Sequence, residues 1–205
     1  MPRASAADAA ETARRVLQTA AAHFAEHGYA NTSIDGIASA AGVTRGAVYH
    51  HYASKSGLFS AVVAAQQDAI ATAIANATDG VAAHQALRTG SHAFLDAITQ
   101  GSAARVLLVE GPAALSWSQW RAHDARGPAA ELRTGLAEAG IRPEILDALT
   151  TALSGAMNEL ALWLSERTSD TAARKNAHAA LDVLLNALPV SEHRKGPEPQ
   201  PGTLI

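Results

Sequence analysis

Apolar residues recur along this chain at spacings of three and four, which predicts helix after helix. Val16, Ala20 and Phe24 repeat at i+4 beside Leu17 and Ala21, so a helix is expected from about Asp8 to His27, ended by Gly28 ahead of Tyr29. From Ser54, the positions Leu58, Phe59, Val62, Val63, Gln66 and Ile70 predict one long helix to about Asn76. Leu87, Ser91, Phe94, Leu95 and Ile98 form a further stripe, and Arg105 to Glu110 a short apolar piece that Gly111-Pro112 is expected to stop. Ser116 and Gln119 have capping-box spacing, and Gly127-Pro128 should break the helix that resumes through Leu132 and Leu136 and closes at Gly140. Pro143 suits the first turn of a helix bearing Leu146, Leu149, Leu153, Met157, Leu160 and Leu164. A second stripe on that helix, Ile145, Ala152, Ala156, Glu159 and Trp163, lies about 90° away, so the helix needs partners on two sides. The last helix, about Asp170 to Leu188, carries Ala177, Leu181, Leu184, Leu185 and Leu188, and Pro189 ends it. The polar, Pro-rich tail, 189–205, is expected to be disordered.

Between Thr32 and Phe59 the punctuation tightens. Thr32 is placed to cap a short helix with Asp35 three residues on, and Ile34 and Ile37 share one face. Gly42 supplies a left-handed helix end, and Thr44 caps the next helix. This is helix-turn-helix spacing over 33–52. At about 100° per residue, Val48, His51 and Tyr52 fall on one face, with Ala47 on its flank, while Arg45, Gly46, Tyr49 and His50 fall on the other. The first face packs and the second reads. A guanidinium can fork onto a guanine edge, a glycine admits close backbone approach, and a phenol can donate to a phosphate. Ser54 caps the following helix, whose free N–H groups, with Lys55, offer a place for a phosphate oxygen.

The run GVTRGAVYHHYASKSGLF, Gly42 to Phe59, resembles the recognition helix and following segment of the tetracycline-repressor (TetR-like) transcriptional regulators. It joins turn, recognition helix, aromatic pair, cap and lysine at fixed offsets, and the likeness extends over roughly the first seventy residues. Two positions depart from the family pattern: Ser56 stands where an acidic residue is common, and Tyr52 where Phe is usual. The resemblance implies an all-α fold: a three-helix head at 10–70, joined by a long helix to a bundle at 71–188 that binds a small-molecule effector and dimerises. It implies a repressor released by that effector from an inverted-repeat operator in double-stranded DNA. Thr32, Ser33, Thr44, Arg45, Gly46, Tyr49, His50 and Lys55 are the expected DNA-binding residues.

Composition narrows this picture. Abundant alanine with only 4 % aromatic residues favours close helix packing over a β-sandwich. With no cysteine, disulfides are excluded, and a metal site would need His and carboxylate ligands alone; the nine histidines are scattered without an HExxH, and neither metal nor cofactor is expected. No run approaches the roughly 18 consecutive apolar residues of a membrane span, and no hydrophobic signal core opens the chain, so a cytoplasmic location is expected. The net charge of −3 argues against a generic polyanion binder. Residues 1–60 carry +1, which leaves −4 for the remainder, so DNA affinity must rest on placed contacts and on a homodimer.

In the second half, the polar exceptions His92, Asn158 and Glu159 are expected to converge with Trp117 and Trp120 around a pocket for a small hydrophobic or aromatic effector. Trp117, Trp120 and Trp163 also suit a core or an interface. Two other classes of function fit a helical chain of this kind: a small-molecule carrier or enzyme without operator binding, and a DNA-binding architectural protein with no effector. No nucleophile–base pair, phosphate loop or metal motif supports catalysis.

Overall fold

The computed structural model describes residues 6–124 and 127–189. Within them the chain forms α1 (Ala6–Asn31), α2 (Ile34–Ala40), α3 (Arg45–Tyr52), α4 (Lys55–Thr78), α5 (Ala83–Ile98), a π-helical turn (Arg105–Glu110), α6 (Gly111–Ala114), α7 (Trp117–Asp124), α8 (Pro128–Glu138), α9 (Pro143–Ser165) and α10 (Thr171–Asn186), with no strand. The tail expected to be disordered lies outside the described residues apart from Pro189.

The all-α reading holds, and so do most of its boundaries. Gly28, at φ 77°, interrupts α1 where the sequence placed its end, and a last helical turn continues to Asn31. Ser116 and Gln119 form the reciprocal box: Ser116 Oγ accepts the Gln119 N–H at 3.3 Å, and Gln119 Oε1 accepts the Ser116 N–H at 3.1 Å. Gly140, at φ 86°, comes after α8, and Pro128 and Pro143 each occupy a first turn. The expected stop at Gly111-Pro112 is corrected. The π turn runs directly into α6, because Pro112 falls in a first turn, where its missing N–H costs nothing.

α4 is the helix the others share. Its upper half buries Leu58, Phe59, Val62 and Val63 against α1, and its lower half buries Ile70 and Ile74 against α5 and α8. By length and composition α4 is apolar enough to cross a bilayer, although polar residues break its apolar run. Here it is the core helix, wrapped on several sides, and that explains its composition. At the top of the core Phe24 meets Phe59 edge-on at 4.9 Å between ring centres, and Tyr29 stacks on Phe24 at 5.8 Å.

α10 lies on α5 and α9. A row of polar side chains ties it to α5: Arg88 to Asp182 at 2.8 Å, Asp182 to His92 Nε2 at 2.7 Å, His92 Nδ1 to His178 Nδ1 at 2.6 Å, His178 Nε2 to Asp96 at 3.1 Å, and Asp96 to Arg174 at 2.7 Å. Each Nε2 faces a carboxylate and is placed to donate to it, and the two Nδ1 atoms face each other. The His92 hydrogen bond holds the Asp182 carboxyl below its ordinary pKa, with lesser help from Arg88.

Phe59 is fully buried, so Phe59→Ala is expected to cost about 3–5 kcal/mol in chemical denaturation, among the largest single-site losses in the head. Because the folded pKa of Asp182 is lowered, its contribution is present above the unfolded value, about 3.9, and is lost as pH falls through the folded value. Melting curves should therefore show Asp182→Asn below wild type near neutral pH and converging with it in acid.

Candidate nucleic-acid interface

Three hydroxyl caps set where α2, α3 and α4 begin. Ser33, in extended conformation, accepts the Gly36 N–H at 3.0 Å and starts α2. Thr44 accepts the Ala47 N–H at 3.2 Å and starts α3, and Ser54 accepts the Gly57 N–H at 2.9 Å and starts α4. The cap of α2 thus sits one residue later than the sequence suggested. Thr32 is buried, and its hydroxyl donates inward to Gly28 O at 2.8 Å and His23 O at 3.2 Å. Thr32 thus turns inward onto two carbonyls of α1 on either side of the break at Gly28. It therefore cannot offer its hydroxyl to a backbone phosphate, and its place among the expected DNA-binding residues is withdrawn.

α3 divides as its sequence predicts. Val48 is buried and Ala47, His51 and Tyr52 are half-buried, while Arg45, Gly46, Tyr49 and His50 are exposed. Tyr52, where the family pattern has Phe, uses its extra hydroxyl to donate to Ala13 O at 2.8 Å and so pins α3 to α1. Burial pushes this phenol's pKa up, which keeps it the neutral donor that the bond needs. Gly46 is not demanded by internal packing, since a Cβ there would meet nothing closer than Thr44 Oγ1 at 3.8 Å. Its bareness leaves open backbone on the outer face.

Arg45 is not pointing free. Its guanidinium pairs with Asp35 at 2.9 Å, reaches the Tyr49 hydroxyl at 3.3 Å and lies 5.3 Å from the Tyr49 ring centre. The Tyr49 hydrogen bond, with Asp35 behind it, raises its pKa further, so it is a cation at any working pH. Asp35 has the spacing of a capping residue but does not cap α2; only the tertiary turn brings it to Arg45, ten positions on. Lys55 is half-buried, with its ammonium 3.3 Å from Ala30 O and 4.5 Å from the centre of the Tyr29 ring. Sequence reasoning also missed Gly57 and Ala53. A Cβ at Gly57 would collide with the Tyr52 carbonyl, and Ala53 turns the chain from α3 into α4 at φ 61°.

The residues expected to line an effector pocket do not gather around the cavity described between α4, α5, α8 and α9. His92 faces α10 in the polar row. Trp120 donates its indole N–H to Leu107 O at 2.9 Å, Asn158 is half-buried, and Glu159 is exposed. The Trp117 side chain lies outside the described residues. This cavity, about 190 Å³, lies between α4, α5, α8 and α9, is open to solvent on one side, and is lined by residues that include Ile74, Leu87, Phe94, Leu132 and Met157. Ser91 also lines it; its hydroxyl is buried and has no hydrogen-bond partner. A serine inside an apolar stripe reads from sequence as a tolerated small core residue, so nothing marked it as polar lining. Among the described residues the lining includes Glu131 and Glu138 but no Lys, Arg or His.

Comparison with known proteins agrees with this architecture. Residues 16–62 match the family described as bacterial regulatory proteins, tetR family, and residues 84–188 match the tetracyclin repressor-like C-terminal domain. The chain is 43 % identical over 60 residues to the probable acrEF/envCD operon repressor of Escherichia coli K12, covering 29 % of this chain and 27 % of that protein. It is 45 % identical over 62 residues to the transcriptional regulator AcrR of Shigella flexneri, covering 30 % and 29 %. These matches thus span under a third of the curated relatives' own length. Among solved structures, a TetR-family regulator from Pectobacterium atrosepticum aligns with TM-score 0.65 at 27 % identity, covering 89 % of this chain and 96 % of that one. The fatty acid degradation regulator FadR from Bacillus halodurans aligns with TM-score 0.74 at 16 % identity, covering 85 % and 98 %, which speaks to fold alone.

The fold and its exposed α3 face define a helix-turn-helix regulatory protein of bacterial type. This chain belongs to the tetR family of transcriptional regulators, which is not a family of enzymes.

The reassignment of Thr32 has a measurable outcome. Thr32→Val keeps the shape but removes the donor from two carbonyls, and is expected to cost about 1–3 kcal/mol of stability in denaturant titration. DNA affinity of the folded fraction should stay near wild type, whereas a direct phosphate contact would lower it.

Proposed function

We propose that this protein is a dimeric repressor that binds an inverted-repeat operator through α3 and leaves it when a small molecule fills the body cavity. The observation that carries the reading is the division of α3: a buried Val48 opposite an outer face of Arg45, Gly46, Tyr49 and His50. That face offers donors suited to phosphates and base edges and has no packing role in the chain itself. Arg45 and Tyr49 read base edges or adjoining phosphates, while Ser33, Thr44 and Lys55 set the head on the backbone. Residues 10–70 serve as the DNA-binding domain and 71–188 as the effector-binding and dimerisation domain. The relatives named as repressors support the direction of control.

Dimerisation is supported by apolar surface on the last two helices. Trp163 on α9 is 37 % exposed, and Val183 and Leu184 on α10 are 69 % and 40 % exposed. A two-fold pairing there places two copies of α3 in successive major grooves, about 34–36 Å apart. The effector class is argued from the cavity lining. Walls of mixed apolar and polar character, an unpartnered hydroxyl at Ser91 and, among the described residues, carboxylates without a basic residue suit a compact, partly apolar molecule that is neutral or cationic and carries a hydrogen-bonding group. An anionic ligand would meet Glu131 and Glu138 uncompensated.

Operator selection from random DNA, then anisotropy titration over a range of salt, tests the reading. Selection should return an inverted repeat. Arg45→Ala should lose about 1–3 kcal/mol at one base pair of each half-site and relax preference there. Lys55→Ala should weaken binding to all sequences alike and reduce the salt slope by about one unit. Equal losses of both variants on operator and random DNA would contradict these roles, and failure to enrich any sequence would remove the operator-binding reading altogether.

A further inference from the structure

The head and the body meet at a buried carboxylate. Gly28 breaks the hydrogen bonding of α1, and the N–H of the next residue, Tyr29, donates across 81 positions of sequence to Glu110 Oε2 at 2.7 Å. The carboxylate lies flat on Gly28: a Cβ there would stand 3.0 Å from Oε1 and 3.3 Å from Oε2. Glu110 is only 17 % exposed, and its charged neighbour, Arg105 Nε, stands 3.8 Å away. Enclosing a carboxylate this far is unfavourable unless it is bound, and apolar residues would fill the space more cheaply.

The π turn aims Glu110. The Gly111 N–H bonds to Val106 O, five residues back, instead of to Leu107 O. The carbonyl thereby released, Leu107 O, accepts the Trp120 indole N–H at 2.9 Å, and the indole ring packs on Gly111, where a Cβ would stand 3.0 Å from Trp120 Cδ1. The turn holds one residue more than an α-helical turn would. Return to α register would rotate Glu110 by about 100° relative to the chain before the turn and withdraw it from Tyr29.

Tyr29 in turn touches α1, α4 and the entry to α2. Its ring packs on Phe24 of α1 and edge-on to Phe59 of α4 at 5.0 Å, Lys55 stands over its face, and its carbonyl accepts the Thr32 N–H at the entry to α2 at 3.4 Å. The π turn itself packs against α1, α4 and α9. We propose that Glu110 is the positioning residue that fixes the angle of the DNA-reading head on the body, and that the Trp120 indole N–H holds the π register that aims it. The consequence for DNA rests on the operator-binding reading above, because a fixed head angle matters where two heads must match one half-site spacing.

The test compares Glu110→Ala, Glu110→Gln and Trp120→Phe in the full chain, with two readouts. Amide hydrogen exchange by NMR reports the bond itself. Tyr29 should exchange about tenfold faster or more in Glu110→Ala and faster in Trp120→Phe, while Glu110→Gln, which keeps an acceptor oxygen, should retain most of the protection. The core amide of Phe24 should be unchanged. Anisotropy titration against inverted repeats whose spacer differs by one base pair reports the head angle. Glu110→Ala and Trp120→Phe should lose severalfold of the wild-type spacing preference while binding an isolated half-site as wild type does. Wild-type Tyr29 protection in Glu110→Ala, or an unchanged spacing preference, overturns the role of Glu110; wild-type Tyr29 protection in Trp120→Phe overturns that of Trp120. If wild type binds no operator, the functional reading fails while the exchange data still decide the bond. If Glu110→Ala does not fold, Glu110→Leu, which fills the space without an acceptor oxygen, takes its place: wild-type Tyr29 exchange and spacing preference there would overturn the proposal.

Discussion

The burial of α4 along its whole length is the constraint that the rest of the molecule answers to. A helix of 24 residues with apolar side chains on several faces is stable in water only if other helices cover it. α1 and α3 close over its first half and α5 and α8 over its second, so head and body share one continuous core, without a hinge of exposed linker between them. The reading helix is short, eight residues, too few to hold its shape alone, and it owes its conformation to Val48 in that core and to Tyr52 on α1.

Around this core the polar contacts are few and placed. Hydroxyl caps at Ser33, Thr44 and Ser54 define where α2, α3 and α4 begin, each by taking one otherwise unpaired N–H. The exposed pair of Arg45 and Asp35 adds little to the fold, since both side chains are more than half in water. Its effect is to keep a cation folded back along the outer face of α3, oriented by one carboxylate and one phenol. The polar row between α5 and α10 has the opposite character. It is partly enclosed, and it links a wall of the cavity to a helix with exposed apolar surface. Ser91 and His92 are neighbours on α5, one facing the cavity and the other facing α10.

The class of fold, the helix-turn-helix punctuation, the two faces of α3 and the ends set by Gly28, Gly140, Pro128 and Pro143 were all legible in the sequence. Each depends on residues within a turn or two of one another: periodicity, a cap, a glycine that accepts positive φ, a proline that needs no donor. Even Tyr52 could be placed on the packing face by angle alone. Short-range geometry is written in short-range sequence.

Tertiary structure alone decided the rest, because the partners come from far along the chain. Thr32 had two uses open to one hydroxyl, and the nearby carbonyls of His23 and Gly28 determined which. Asp35 has capping spacing, yet the turn carries it to Arg45. His92 stands in the sequence as an isolated polar exception, yet it finds His178 and Asp182 some 86 and 90 positions later. The cavity lining includes Ser91, a serine within an apolar stripe, and not the tryptophans and polar exceptions that stood out by residue type, since a void is a property of how four helices diverge and no single helix encodes it. The π turn and its carboxylate were equally silent: one extra residue in a turn leaves no mark on an apolar pattern six residues long, and only the packing of Trp120 and Gly28 gives it a direction.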